Sequence, residues 1–421
     1  MSNDTDIAIL AKYFLGWGGG TDFLRNCVGA LLVKGKDHAI RVNILVPDKS
    51  PRGEIIDFLF LFKKLINDLA SFRKPQYRRI KPIAKEILID ELDIENNDLA
   101  IVNYRDNQNG LVSCLEKLGT VAIFPMVESP GESFPFPWVG YIPDLQHKVL
   151  PSLFSISERT ERDRIFSGLL RDARAVIVNS RSVKSDIERY YTDSRCRIFS
   201  LPFSPVPHRS WFELDPTEYR MKYNLPDRYF IISNQFWIHK SHITAFEALY
   251  KLREIHPASN VHIVCTGEIR DYRFPNYFEE LKTKIDEMNL SQYIHFLGYI
   301  PKKDQLQILR GAIALLQPTL FEGGPGGGAV YDAVSLGVPS IVSDIPVNKE
   351  ILGGNVFFFH TGSSDAMKEK MLELLEEEIE KPPKEILIEQ GIQRAEMLGK
   401  SLCEAFDFVI SLASDSSNLK Y

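Results

Sequence analysis

Short apolar runs recur along the chain, each a few residues long and separated from the next by an amphipathic stretch. In the first half they lie at residues 7–10, 42–46, 99–103, 121–124 and 175–179, and in the second at 229–233, 261–265, 293–297, 312–317 and 340–342. Continuously apolar runs of this length read as strands buried on both faces, and the stretches between them as covering helices. The pattern predicts an α/β chain of parallel sheets. Between the halves lies a proline-dense stretch with Leu201, Pro202, Pro205 and Pro207, which resists helix and sheet alike and predicts a linker. The expected organisation is residues 1–205, residues 206–400, and a carboxyl-terminal helix and polar tail over 401–421, whose last residues from Ala413 onward are expected to fray.

A length of 421 residues exceeds what one core organises, which agrees with two domains. The formal charge of −6 argues against a nucleic-acid binder and favours small-molecule chemistry. The five cysteines are scattered and form no Cys-x-x-Cys pair, which suggests a reducing compartment and no zinc site. Asp4-Thr5-Asp6 precedes the first strand instead of following one, so no metal is expected to bind there. Without a signal-like start or an apolar run of about 18 residues, a soluble or at most peripheral protein is expected, in the cytoplasm or at the inner face of the cell membrane.

The most informative stretch is residues 321–346, FEGGPGGGAVYDAVSLGVPSIVSDIP. It reads as a strand end, a glycine loop, a helix from about Ala329, and a further strand. Glycines at 323, 324, 326, 327 and 328 let backbone N–H groups approach an anion, and the helix turns its unpaired N–H groups and positive dipole end toward it. A diphosphate fits such a socket; a glycine loop with no ligand is the plainer alternative. A dinucleotide fingerprint is absent, because the glycines from Gly16 to Gly20 lack the third member in either register. A P-loop fails too, since Gly35-Lys36 is followed by Asp37 and Ala30 stands where the first glycine belongs. In a doubly wound sheet the loops after Leu10, Phe124, Ser233, Cys265 and Gln317 gather at the carboxyl ends of the strands, one glycine loop in each half.

Taken together, several motifs resemble the retaining, nucleotide-sugar-dependent glycosyltransferases of family 4, which have the GT-B fold of two Rossmann-like domains facing a cleft. They are Asp144-Leu145-Gln146-His147, Leu153-Phe154, Glu158-Arg159, Val176-Ile177-Val178-Asn179-Ser180, Ser185-Asp186-Ile187, Tyr223-Asn224-Leu225-Pro226, His239-Lys240, Phe296-Leu297-Gly298-Tyr299, and the 321–346 stretch. The resemblance covers residues 16 to about 350. It implies a carboxyl-terminal donor domain in which Glu322 lies near the donor sugar and Asp332 accepts from the ribose, although the spacing is two residues longer and the second acid is Asp instead of Glu. It implies that Lys240 neutralises the leaving diphosphate, while Gln235 stands where an arginine is expected. His147 resembles the histidine at the reacting edge of the donor sugar. Gly19, Gly20, Gly267, Tyr299, Ile300, Gly326, Gly327, Gly328 and Ala329 complete the expected donor contacts. Bland readings stand beside these: a surface lysine, a first-turn acid, a structural histidine.

The resemblance implies no cofactor, with the nucleotide diphosphate sugar as co-substrate. Residues 55–85 combine an apolar and aromatic run with Lys63, Lys64, Arg73, Lys74, Arg78, Arg79, Lys81 and Lys85, a pattern for an anionic membrane face or a lipid-linked acceptor, or else for a buried helix with a basic end. Pro130, Phe134, Phe136, Pro137 and Trp138 are expected to form a loop over the acceptor. The expected activity is transfer of a hexose, with mannose from GDP-mannose the first guess, to a saccharide or lipid-linked acceptor in surface polysaccharide synthesis. The rival readings are a nucleotide-sugar epimerase and a non-catalytic sugar-nucleotide-binding scaffold.

Overall fold

A computed structural model describes residues 5–15, 18–38, 40–48, 99–377 and 379–418. The basic segment 55–85, Gly16 and Trp17 lie outside them. Two sheets organise the described residues. The first comprises β1 (Thr5–Leu10), β2 (Ile40–Asp48), β3 (Leu99–Arg105), β4 (Ala122–Met126), β5 (Trp138–Ile142), β6 (Ala175–Val178) and β7 (Arg197–Ser200), in the order β3-β2-β1-β4-β5-β6-β7. The second comprises β8 (Tyr229–Ser233), β9 (His262–Thr266), β10 (Ile294–Gly298), β11 (Leu315–Gln317), β12 (Ser340–Ser343) and β13 (Val356–Phe359), in the order β10-β9-β8-β11-β12-β13. All pairings in the second sheet are parallel. So are β1 with β2 and β4, β2 with β3, and β4 with β5.

Alternation along each central strand feeds two cores. Phe230, Ile232, Ile263, Cys265, Leu316 and Ile341 face one side of the second sheet, where they meet Phe246 and Leu249 of the helix His242–Ile255 and Met367 and Met371 of the helix Ser364–Glu376. Tyr229, Ile231, Val264, Leu315 and Val342 face the other, against Leu306 and Leu309 of Lys302–Gly311 and Val330 and Ala333 of Gly327–Ser335. Coverage of both faces explains why these strands are apolar throughout instead of alternating with polar residues.

The chain divides into two compact units, one made of residues 1–141, 168–176 and 402–421, the other of 142–167 and 177–401. Residues 201–208 carry neither helix nor strand. Two expectations change. Trp138 opens β5 instead of belonging to a covering loop, and the polar carboxyl-terminal stretch is helical as far as Asn418, the end of the helix Lys384–Asn418. Among the described residues, no helix is long and apolar enough to cross a membrane.

Candidate functional site

The second unit holds the glycine socket. β11 is only three residues long and ends at the buried Gln317, after which the chain crosses to the helix Gly327–Ser335. Gly326 and Gly327 both adopt positive φ, +69° and +64°, where a side chain is strained. A Cβ on Gly326 would fall 2.4 Å from Val330 Cβ, and one on Gly327 would fall 3.0 Å from the Glu322 carboxyl group. Three hydrogen bonds fix the loop: Gly326 N–H donates to Asn348 Oδ1 at 2.8 Å, Gln317 Nε2 donates to the Gly326 carbonyl at 2.8 Å, and Gly327 N–H donates to the Gly324 carbonyl at 3.2 Å. The Ser180 hydroxyl donates to the Gly323 carbonyl at 2.9 Å. The helix has no side-chain cap and no acid in its first turn, and a Cβ on Gly328 would meet nothing within 4 Å. Its first N–H groups therefore face no carboxylate of their own turn, which is the electrostatic requirement for binding an anion.

β8 and β11 are neighbours in the sheet, so the loop after β8 arrives beside this socket. It brings Lys240, whose Nζ lies 2.5 Å from Glu322 Oε1; the two side chains are 14% and 10% exposed. Gln317 Nε2 donates to the same carboxylate oxygen at 3.0 Å, and Asn234 Nδ2 holds Gln317 by donating to its Oε1 at 2.6 Å. A cation and a carboxylate thus stand together next to a helix N-terminus. Within the loop, the His239 carbonyl accepts from Leu320 N–H at 2.8 Å. The His239 imidazole is buried, which, with the Lys240 and Arg273 cations nearby, pushes its pKa down to about 2.

The loop after β9 braces the one after β8. Gly267 takes φ +132°, and a Cβ there would sit 2.2 Å from the Asn234 carbonyl oxygen. Its N–H donates to the Gly298 carbonyl at 2.8 Å, and Phe236 N–H donates to Glu268 O at 2.9 Å. Asp271, fully enclosed, pairs with Arg273 at 3.4 Å and accepts from Ile238 N–H at 3.4 Å. The Arg273 guanidinium lies over the Trp237 ring at 4.9 Å, and its Nη2 has no hydrogen-bond partner. Gln235 is exposed and supplies no charge. The buried cation near this loop is instead Arg273, more than thirty positions along the chain, and nothing local in the sequence marks it.

The remaining expected residues are dispersed. Asp332 lies on the helix Gly327–Ser335, buried, and accepts from Lys302 Nζ at 2.6 Å and Gln305 Nε2 at 3.2 Å. Lys302 was not anticipated from the sequence. Tyr299 and Ile300 follow β10; Tyr299 is exposed and Ile300 is buried. His147 is buried in a cluster of its own, with Nε2 2.9 Å from Asp163 Oδ1, and its ring edge-on to Phe166 and Phe154. Lys148 and Tyr191 also donate to Asp163, both at 2.8 Å. Burial lowers the His147 pKa and outweighs the Asp163 hydrogen bond, and Nδ1 has no partner. Gly19 and Gly20 belong to the other unit, where they open the helix Gly18–His38 instead of forming a loop.

Residues 216–394, which include Lys240, Glu322, the glycine socket and Asp332, match the family model described as glycosyl transferases group 1. Among solved structures, the chain is similar to sucrose-phosphate synthase from Thermosynechococcus elongatus, with 16% identity, a TM-score of 0.57, and 99% of this chain and 98% of that one covered. It is also similar to Anabaena HepE in complex with UDP and glucose, with 14% identity, a TM-score of 0.55 and 99% of each chain covered. A third is WaaG, a glycosyltransferase involved in lipopolysaccharide biosynthesis, with 14% identity, a TM-score of 0.50, and 97% of this chain and 98% of that one covered. A search of curated proteins finds no match. At these identities the structural likeness establishes the fold, two Rossmann-like parallel-sheet domains of the GT-B kind.

Proposed function

We propose that this chain is a retaining glycosyltransferase that moves a hexosyl group from a nucleotide diphosphate sugar to a saccharide or lipid-linked saccharide acceptor in surface polysaccharide synthesis, on the cytoplasmic side of the membrane. The observation that carries the proposal is the Lys240–Glu322 pair beside the uncapped helix at Gly327. A nucleotide sugar has an anionic diphosphate joined to a polyol, and this pair offers a cation to the first and a hydrogen-bond acceptor to the second. As the bond between the sugar C1 and the diphosphate oxygen breaks, negative charge builds on that oxygen, and Lys240 with the first N–H groups of the helix stabilises it. The acceptor hydroxyl attacks C1 from the same face, and its proton passes to the departing phosphate, so the anomeric configuration is retained. His147, neutral at pH 7 and wholly enclosed, shapes its loop through Asp163 and does not itself reach the sugar. No cofactor takes part.

GDP-mannose is the first donor to test and UDP-glucose the second, the latter because HepE is bound with UDP and glucose. Thermal shift of the purified protein with UDP, GDP, ADP and TDP and their hexose conjugates should single out one base, because a ligand bound only by the folded state raises its stability. That response should vanish in Lys240→Ala. No response to any nucleotide would refute the proposal. The exposed Gln235 and the pairing of Asp332 with Lys302 favour a second reading, a sugar-nucleotide-binding scaffold. Nucleotide binding without turnover on any acceptor would select it.

A further inference from the structure

The first unit contains a cavity of about 340 Å³ at the carboxyl ends of β1, β3 and β4. In the order β3-β2-β1-β4, β1 and β4 are neighbours, and the strands after β1 run to one side of it while β4 begins the other. This is the switch point at which open α/β sheets hold ligands. The volume is at the low end for ligand clefts, room for about one sugar ring and not an extended chain. Tyr13, Tyr104 and Phe134 supply aromatic faces, Lys12 an ammonium, Asp106 and Glu128 carboxylates. Tyr104 and Phe134 are buried, which fixes their rings.

The charges decide what the cavity accepts. Lys12 Nζ is already committed to Asp106 Oδ1 at 2.6 Å, and it lies 5.5 Å from the Tyr13 ring centre. Glu128 has no ion-pair partner among the described residues, so the lining carries one carboxylate in excess. No arginine lines it. The helix Gln108–Leu118 points its N-terminus here, but Asn107 caps it by accepting from Gly110 N–H at 2.8 Å, and Asp106 stands just ahead. The loop bearing Glu128 is anchored on both sides, by the Ser129 hydroxyl donating to Asp172 Oδ2 at 2.6 Å and by Gln108 Nε2 donating to the Pro130 carbonyl at 3.1 Å. A phosphate would meet a lining of one net negative charge, carried on the solvent-exposed Asp106 and Glu128, whereas a ring bearing hydroxyl or ammonium groups finds two acceptors, one donor and aromatic faces for its C–H surface.

We propose that this cavity is the acceptor-ring site and that Asp106 and Glu128 select an uncharged or amino-bearing sugar ring over a phosphorylated one. The assignment rests on the glycosyltransferase reading for the word acceptor, but the sugar selectivity is separately measurable. The experiment is saturation-transfer NMR on the full chain with methyl glycosides of glucose, mannose, galactose and N-acetylglucosamine, with glucosamine, and with glucose 6-phosphate. At least one neutral glycoside or glucosamine should bind, with glucose 6-phosphate weaker by about threefold, the effect of one solvent-exposed charge. Asp106→Asn and Glu128→Gln should each weaken the sugar, and Glu128→Gln should narrow the gap to glucose 6-phosphate. Equal or tighter binding of glucose 6-phosphate, sugar binding unchanged in both Asp106→Asn and Glu128→Gln, or no binding by any sugar would overturn the proposal. Thermal shift with UDP and GDP distinguishes the two levels. Sugar selectivity without a nucleotide response supports the cavity while refuting the transferase, and a nucleotide response without sugar selectivity does the reverse.

Discussion

Acidification should loosen the second unit through two histidines. Burial drives the pKa of His239 down to about 2 and that of His242 to about 3, in both cases with Lys240 adding to the effect. His242 lies flat on Phe236, ring centres 4.1 Å apart, and neither of its ring nitrogens has a hydrogen-bond partner. Between pH 7 and pH 5 both stay neutral in the native protein, while in the unfolded chain they take up protons near their ordinary value of about 6.5. The unfolded state then binds more protons, so stability is full above pH 6.5 and declines as pH falls toward the folded values. The slope approaches about 1.4 kcal/mol per pH unit for each histidine, and integration from pH 7 to 5 gives about 2 kcal/mol each, about 4 together. Urea unfolding followed by tryptophan fluorescence at pH 7, 6 and 5 measures the loss; Trp237, 5.5 Å from the His239 ring, reports locally. In His242→Leu, whatever its stability at pH 7, the decrement between pH 7 and 5 should shrink by about 2 kcal/mol. Parallel pH profiles for the two proteins, or an imidazole resonance of either residue titrating near pH 6.5, would refute the reasoning.

Other perturbations act on the site directly. Glu322→Gln should keep affinity for a free nucleoside diphosphate within about threefold while Lys240→Met weakens it by about tenfold or more, as titration calorimetry would show, since removal of the cation costs a charged hydrogen bond. Equal losses in both variants would refute the division of labour. Gly267→Ala, with its Cβ 2.2 Å from the Asn234 carbonyl oxygen at φ +132°, should cost about 3 kcal/mol or more, whereas Gly328→Ala, facing open space, should leave the melting temperature nearly unchanged. Arg273→Met should destabilise the second unit by about 3–5 kcal/mol because it orphans the enclosed Asp271, and adding Asp271→Asn should recover part of that loss, a coupling that a double-mutant cycle of urea unfolding measures.

The fold was more legible than the site. Every apolar run named from the sequence contains or overlaps a strand; the central ones are buried on both faces and so apolar throughout, while β3 and β10 are partly buried edge strands. The strands that escaped notice are β5, β7 and β13. β7 lies at a sheet edge and is partly exposed, so it requires no continuous apolar run, whereas β13, at the edge of the other sheet, is the apolar run Val356–Phe359 and was legible. β5 follows Pro135 and Pro137 and contains Gly140, which reads as loop chemistry. Gly140 is needed there because a Cβ would lie 2.9 Å from Val176 Cγ2. At the site, the glycine loop, Lys240 and Glu322 were legible as motifs, but their meeting was not. It depends on β8 and β11 being adjacent across 82 positions of sequence. Gln317, Asn234, Asn348, Lys302 and Arg273 escaped for the same reason: each is an ordinary polar residue until the sheet order sets its neighbour.

The Lys240–Glu322 pair also answers a difficulty that a donor site must meet. A lone cation beside a helix N-terminus would suit a diphosphate but would stand uncompensated, largely out of water, whenever the site is empty. A lone carboxylate would suit sugar hydroxyls but would repel the phosphates a few ångströms away. Pairing them lets each desolvate against the other in the empty protein, and Gln317, held by Asn234, keeps the carboxylate hydrogen-bonded if the lysine turns toward a ligand. On the proposed donor reading, the cost of breaking the pair is set against a diphosphate that would satisfy both Lys240 and the N–H groups of the helix, so a nucleotide sugar would gain more than a free sugar or an inorganic anion. Asp332 fits the same logic from the opposite side: its charge, one turn along the helix from the socket, is neutralised by Lys302 and does not weaken the anion-binding end. Under that proposal, selectivity for the joined ligand over its fragments would follow from charges that are balanced in pairs before anything binds.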